Sequence, residues 1–186
     1  MLLVAFLIAG SGLFATVGAS TIAKQELNGT QIYKRSLKLL RSKATLKLIL
    51  YSPGIEERLQ KCMFSNFLNK IDHGAQRTFI TAYMNTSISI VLRNGSKPAL
   101  EIKSHGDALP YLWREIRYIK HIAPKDCIIL QASSYYDYGY GPLCMLLGFR
   151  QNYKCEDEFL DLCDRGDFAD PTACNPIKSK AKQDVK

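Results

Sequence analysis

Two hydrophobic periods divide the chain. Residues 31–43 have helical spacing, with Tyr33, Leu37 and Leu40 on one face and Lys34, Arg35, Lys38 and Arg41 around the others. The period then changes to alternation. Residues 45–51, TLKLILY, read as a strand that Ser52-Pro53-Gly54 breaks. A less regular strand over 60–68 carries Cys62, Phe64 and Phe67. Residues 78–85 and 87–93 read as two strands around a turn at Asn85, and 99–103 continues after an Asn94-Gly95 turn. Residues 113–122 and 127–131 follow, separated by Ala123-Pro124-Lys125, and 143–149 is the last strand. Between the last two strands, residues 135–142 (YYDYGYGP) form a tyrosine- and glycine-rich loop. Helical spacing returns at Cys155, Phe159, Leu162 and Cys163. Glu156, Asp157 and Glu158 suit the start of that helix, and Gly166 its stop. About eight short strands with turn signals between them predict an antiparallel sandwich or barrel, with one helix before it and one after.

The first 19 residues change the chemistry expected of the six cysteines. Residues 2–9 are a near-continuous apolar run, and Val17-Gly18-Ala19 offers a small-residue cleavage site, so residues 1–19 read as a secretory signal. The segment is too short and too broken by Gly10, Gly12 and Gly18 for a membrane span. Residues 20–176 are then one secreted, extracellular domain, and the lysine-rich 177–186 a disordered tail. In an oxidising compartment six cysteines pair readily, though sequence alone leaves fifteen connectivities open. Asn28-Gly29-Thr30, Asn85-Thr86-Ser87 and Asn94-Gly95-Ser96 are glycosylation sequons.

A net charge of +8 favours anionic partners. Secretion argues against nucleic acid as the target. His73, His105 and His121 lie in unrelated contexts without metal-ligand spacing or a neighbouring nucleophile, and there is no glycine-rich phosphate loop. The expectation is a protein that is not an enzyme and holds no metal or cofactor.

The cysteines, strands and closing helix together resemble the tick salivary lipocalins, the group that includes the histamine-binding proteins. The resemblance rests on Lys61-Cys62-Met63-Phe64, Asp126-Cys127-Ile128-Ile129-Leu130, Cys144-Met145-Leu146-Leu147 and the Cys155…Cys163…Cys174 tail. It implies an eight-stranded barrel with a helix packed beside it and a ligand cavity at one mouth. It also implies the disulfides Cys62–Cys174, Cys127–Cys155 and Cys144–Cys163. The implied activity is sequestration of a host mediator in tick saliva (histamine, another biogenic amine or a leukotriene) to suppress host defence, by a monomer. Amine-binding members often place carboxylates after two of these cysteines and a tryptophan further along. Here those positions are Ile128, Met145 and Leu147. A buried ammonium without a carboxylate partner is strongly disfavoured.

If the strands alternate as in that family, Trp113, Glu115, Arg117 and Ile119 face the lumen, and Ile128, Leu130, Met145 and Leu147 add an apolar wall. A greasy cavity with Arg117 at its mouth suits an amphipathic acid such as a leukotriene or fatty acid. A one-residue shift in register would place the Glu115–Arg117 pair outside instead. Asp126 and Asp137 are the other carboxylates open to an amine, with Asp126 better read as a turn residue. Tyr135, Tyr136, Tyr138 and Tyr140 read equally as an aromatic lid or as an exposed loop. The competing reading is a filled barrel acting as a protein- or surface-interaction module. It would bind a host protein or glycosaminoglycan through its basic face or the tyrosine loop, and such binding would weaken with salt.

Overall fold

The computed structural model describes residues 27–53, 55, 62–133 and 143–174. The expected leader at 1–19, the tyrosine-rich loop at 135–142 and the tail at 177–186 lie outside the described residues. The chain enters through helix α1 (Gly29–Leu40), whose first turn is closed by a reciprocal capping box. Asn28 Oδ1 accepts from the Gln31 N–H at 2.9 Å, and Gln31 Oε1 accepts from the Asn28 N–H at 3.0 Å. Leu39 and Leu40 are buried, while Lys34, Arg35 and Lys38 are exposed. The helix stops short of the expected Lys43. Arg41 turns away and donates to the carbonyls of Gly74 and Ile71.

The strands are β1 (Leu46–Tyr51), β2 (Phe64–Ser65), β3 (Phe67–Ile71), β4 (Gly74–Ile80), β5 (Asn85–Arg93), β6 (Ala99–Ser104), β7 (Arg117–Ala123), β8 (Cys127–Ala132) and β9 (Cys144–Gly148). All pairings are antiparallel, and β9 pairs back onto β1 through Leu48↔Leu147 and Tyr51↔Met145, which closes a barrel. Taking β2 and β3 as one wall strand interrupted at Asn66, the barrel has eight strands. A two-residue strand, β10 (Asp167–Phe168), adds to β1. Closure leaves no long edge to aggregate. Eight strands make an interior just wide enough to be filled by side chains or to hold one small ligand.

Strand alternation sorts two cores. Leu48, Phe79, Ile90, Leu100, Ile128 and Leu147 belong to the cluster inside the barrel. Ile49, Leu50, Ile129 and Leu146 face outward and pack against Phe159 of helix α3 (Tyr153–Cys163). Strands β8 and β9 are covered on both faces, so CIIL and CMLLG read as continuous apolar runs. The same alternation sends Cys127 and Cys144 outward to α3, where they form Cys127–Cys155 and Cys144–Cys163. The third disulfide, Cys62–Cys174, ties a 3-10 turn at Pro171–Cys174 to the chain ahead of β2. These are the three pairs the resemblance implies.

Several expected boundaries are corrected. The turn placed at Asn85 lies at residues 81–84, where the Thr81 N–H donates to the Met84 carbonyl, and Asn85 instead opens β5 opposite Ile80. The strand expected over 60–68 begins only at Phe64, so Cys62 lies ahead of it; it runs on to Ile71 and breaks at Asn66, whose backbone bonds with Thr78 displace it from the ladder. Helix α3 ends at Asp164, in a left-handed conformation with φ 68°, rather than at Gly166. Gly166 is needed for another reason: a Cβ there would lie 2.6 Å from the Phe159 ring.

The largest correction concerns residues 113–122, expected as one strand. Residues Tyr111–Arg114 form a short helix, α2, and β7 begins only at Arg117. Pro110 starts the turn, and its carbonyl accepts from the Trp113 N–H at 2.8 Å. Helical geometry lets Leu112 and Trp113, adjacent in sequence, both be buried, which a half-buried strand would not.

Candidate functional site

The lumen retains a cavity of about 20 Å³ between apolar walls. That is room for roughly one water, far below the several hundred Å³ of a typical ligand pocket. Of the eight residues expected at the ligand, Trp113, Ile128, Leu130 and Leu147 line this cavity. Ile119 and Met145 are buried in the same inner cluster without lining the void. Trp113 reaches the lumen from α2, not from a strand face. Its indole meets the Phe79 ring edge-on, with centroids 5.1 Å apart.

Sequence reasoning drew the site from the second half of the chain and missed the first. Leu40, Leu46, Met63, Ser65, Phe79, Ile88, Ile90, Leu100 and Ile102 complete the lining. The signal was present in β4, where GAQRTFI alternates Ala75, Arg77 and Phe79 onto one face.

The two remaining expected residues form a pair. Arg117 opens β7 and stands opposite Ala132 on β8 and Leu100 on β6, on the same inward face as Ile119. Its side chain is wholly buried, and its Nη1 donates to Glu115 Oε2 at 3.2 Å. Glu115 is not on a strand; it caps the end of α2 in an extended conformation. Burial lowers the Arg117 pKa, and the Glu115 carboxylate opposes that shift. Among the described residues, Nε and Nη2 of Arg117 are buried with no hydrogen-bond partner. These two N–H groups share one edge of the guanidinium, the edge that accepts a carboxylate bidentately.

A second buried guanidinium makes the contrast clear. Arg77 donates from Nε to Ser65 Oγ, from Nη1 to the Leu40 and Ser42 carbonyls, and from Nη2 to the Ala44 and Ser65 carbonyls. All five of its N–H donors are used. Burial lowers its pKa to about 10, which leaves it charged in any physiological medium. Arg77 therefore pins the end of α1 across one end of the barrel, whereas Arg117 is a cation with an open edge.

The amine determinants stay absent in three dimensions. Ile128, Met145 and Leu147, the positions compared above with the carboxylates and tryptophan that the resemblance implies for amine-binding members, are buried in the inner cluster. Asp126 lies in the β7–β8 turn and pairs with Arg150 at 3.7 Å. Asp137 and the four loop tyrosines lie outside the described residues. The histidines are placed apart: His73 Nδ1 lies 2.7 Å from Tyr33 Oη, His105 Nε2 lies 2.7 Å from Ser89 Oγ, and His121 Nδ1 lies 3.6 Å from Glu158 Oε1. Among the described residues no group of His, Cys, Asp and Glu is arranged to hold a metal ion, and no helix is long and apolar enough to cross a membrane. Of the sequon asparagines, Asn28 caps α1, and Asn85 and Asn94 are exposed around β5.

No family profile matches the chain, and no curated protein matches it. Among solved structures, the chain is similar to Japanin from Rhipicephalus appendiculatus, bound to cholesterol. The identity is 15%, with a TM-score of 0.53 over 72% of this chain and 97% of that one. The likeness is one of fold: a closed lipocalin-type barrel.

Proposed function

We propose that this protein is a secreted lipocalin of the tick salivary type that sequesters a small amphipathic acid, a leukotriene or fatty acid, to blunt host defence. Binding itself is the function in this reading, with no turnover. The observation that carries it is Arg117: a buried cation on the inner face of an apolar barrel, with one donor on Glu115 and a bidentate edge unused. An apolar lumen accounts for the hydrocarbon, and the open edge accounts for the carboxylate. Japanin with its cholesterol supports a lipid-sized guest for a barrel of this shape. Histamine fits poorly, because its ammonium would meet Arg117 while the neighbouring carboxylate is already engaged. The proposed glycans on Asn28, Asn85 and Asn94, the cleaved leader and a monomeric state belong to the same reading.

A second reading is favoured by the narrow cavity. A filled barrel would act through its surface, with the basic face of α1 toward a host protein or glycosaminoglycan. Calorimetric titration of the oxidised mature protein with leukotriene B4, oleate and histamine separates the two. Saturable binding of an acid, and weak or no binding of histamine, is expected. Histamine binding alone, or retention on heparin without binding of any of the three, would overturn the carrier reading.

A further inference from the structure

The wall of the barrel is thin beside Trp113. Strands β5 and β6 pair along Ile88–Arg93, and β7 and β8 pair along Arg117–Ala123, but β6 and β7 meet at two positions, Ala99↔Tyr118 and Leu100↔Arg117. The upper half of β6, Glu101 to Ser104, pairs with β5 alone. The connection carrying α2 lies against β6 on this side. It holds its shape with local bonds: Ser104 Oγ donates to the Asp107 carbonyl, the Trp113 N–H to the Pro110 carbonyl, and Arg114 Nε to the Leu109 carbonyl. Asp107 and Ala108, ahead of it, are exposed. One helical turn of four residues carries little stability of its own. What fastens it is apolar: Leu109, Leu112 and Trp113 are at most 3% exposed.

Trp113 also accounts for the size of the cavity. Its indole projects from the connection between β6 and β7 to Phe79 on β4, across the inside of the barrel, and the space left beside it is about 20 Å³. From this we infer that Trp113 is an internal plug. The ligand chamber is the volume its side chain now fills, and α2 swings outward at the β6–β7 seam to admit an apolar chain that replaces the indole against Phe79. This deepens the carrier reading and rests on it. It makes Trp113 the residue that decides what enters. A guest must repay the burial of the indole, which selects long or ring-fused hydrocarbons over small polar molecules. If the open state is populated at roughly 0.1–10%, apparent affinity is reduced by that same factor relative to an unplugged barrel.

The test uses the oxidised mature protein and cis-parinaric acid, a fluorescent fatty acid, in stopped flow. In the unaltered protein the association rate should saturate with probe concentration, at the rate of α2 opening. In Trp113→Ala, with an unchanged far-UV circular dichroism spectrum, saturation should vanish and affinity should rise roughly 10- to 1,000-fold. Should Trp113→Ala fail to fold, Trp113→Leu keeps an apolar contact to Phe79 and is expected to shift in the same direction. Trp113 is the chain's one tryptophan, so its exposure can be read without mutation. Acrylamide quenching of the native protein should increase when oleate saturates it. Equal rates and affinities in the native and altered proteins would overturn the plug and leave the carrier reading intact. Weaker binding in the variants would also overturn it, by making the indole a ligand contact. Absence of probe binding in every form would overturn both.

Discussion

At the scale of single residues, the two buried arginines carry opposite expectations. Arg77 satisfies the carbonyls of Leu40, Ser42, Ala44 and Ser65, so Arg77→Met strands four acceptors, those of Leu40 and Ser65 buried and the other two part-buried. Each stranded acceptor costs about 1–3 kcal/mol before relaxation. A loss of at least about 3 kcal/mol is expected, read from the urea midpoint. Arg117→Met alone would leave the Glu115 carboxylate without its guanidinium, whereas Arg117→Met with Glu115→Gln removes both charges of the pair, an exchange that is often neutral or stabilising. Stability of the ligand-free double variant should change by less than about 1 kcal/mol, while affinity of either variant for a fatty acid should fall by about 2–5 kcal/mol. Calorimetry on both variants checks the pair. If Arg117→Met left acid affinity unchanged, the head-group role of Arg117 would be wrong. The sequence shows two arginines at alternating strand positions. It does not show that one meets a set of helix-end carbonyls and the other a single carboxylate.

Elements were legible where pattern and burial agree. β1, β5, β6, β8 and β9 lie within two residues of the bounds read from the pattern, and α3 follows from two thiols and two apolar residues on one helical face, whereas β4 (Gly74–Ile80) shares only three residues with the strand expected over 78–85. Residues 113–122 misled because Trp113, Ile116, Tyr118, Ile119 and Ile122 are strand-forming residue types although their spacing is not a clean alternation, and β6 finds no partner on β7 beyond Leu100. Asn85 misled because asparagine favours turns, whereas the hydroxyl of Thr81 organises the actual one by accepting from the Tyr83 N–H. At the start of α1, one residue serves two purposes. Asn28 caps the helix through Oδ1 and is also a sequon asparagine. The two roles separate by mutation in protein made without glycosylation. Asn28→Ala should lose about 1 kcal/mol by losing the cap, Asn28→Asp should keep the cap, and Thr30→Ala should change little. Thermal or urea unfolding of the three variants gives the order. A stable Asn28→Ala would mean that α1 is held by Arg77 and Arg41 rather than by its own first turn.

For the whole molecule, the closed barrel and its helices could be anticipated from pattern and resemblance together, but the near-filled lumen could not. Cavity volume depends on how side chains from opposite walls interlock, and α2 delivers an indole that strand alternation does not count. The disulfide map lies between these cases. Alternation sends Cys127 and Cys144 outward, so α3 must lie outside the barrel, yet which thiol meets which depends on helix position. The three bridges should differ in worth. Cys62–Cys174 spans 112 residues and Cys144–Cys163 spans 19. Chain entropy alone gives about 5 kcal/mol for the first and about 3 kcal/mol for the second. The longer bridge also fastens the end of the described chain beside the barrel, whereas α3 keeps Phe159 in its apolar seat and stays tethered through Cys155 when its second bridge is lost. Replacing Cys62 and Cys174 together by Ala should therefore destabilise more than replacing Cys144 and Cys163, by about 2 kcal/mol in urea unfolding. The reverse order would mean that the core between α3 and the barrel depends on its staples, and that closure of β1 against β9 draws its stability from the helix outside the barrel rather than from the side chains within it.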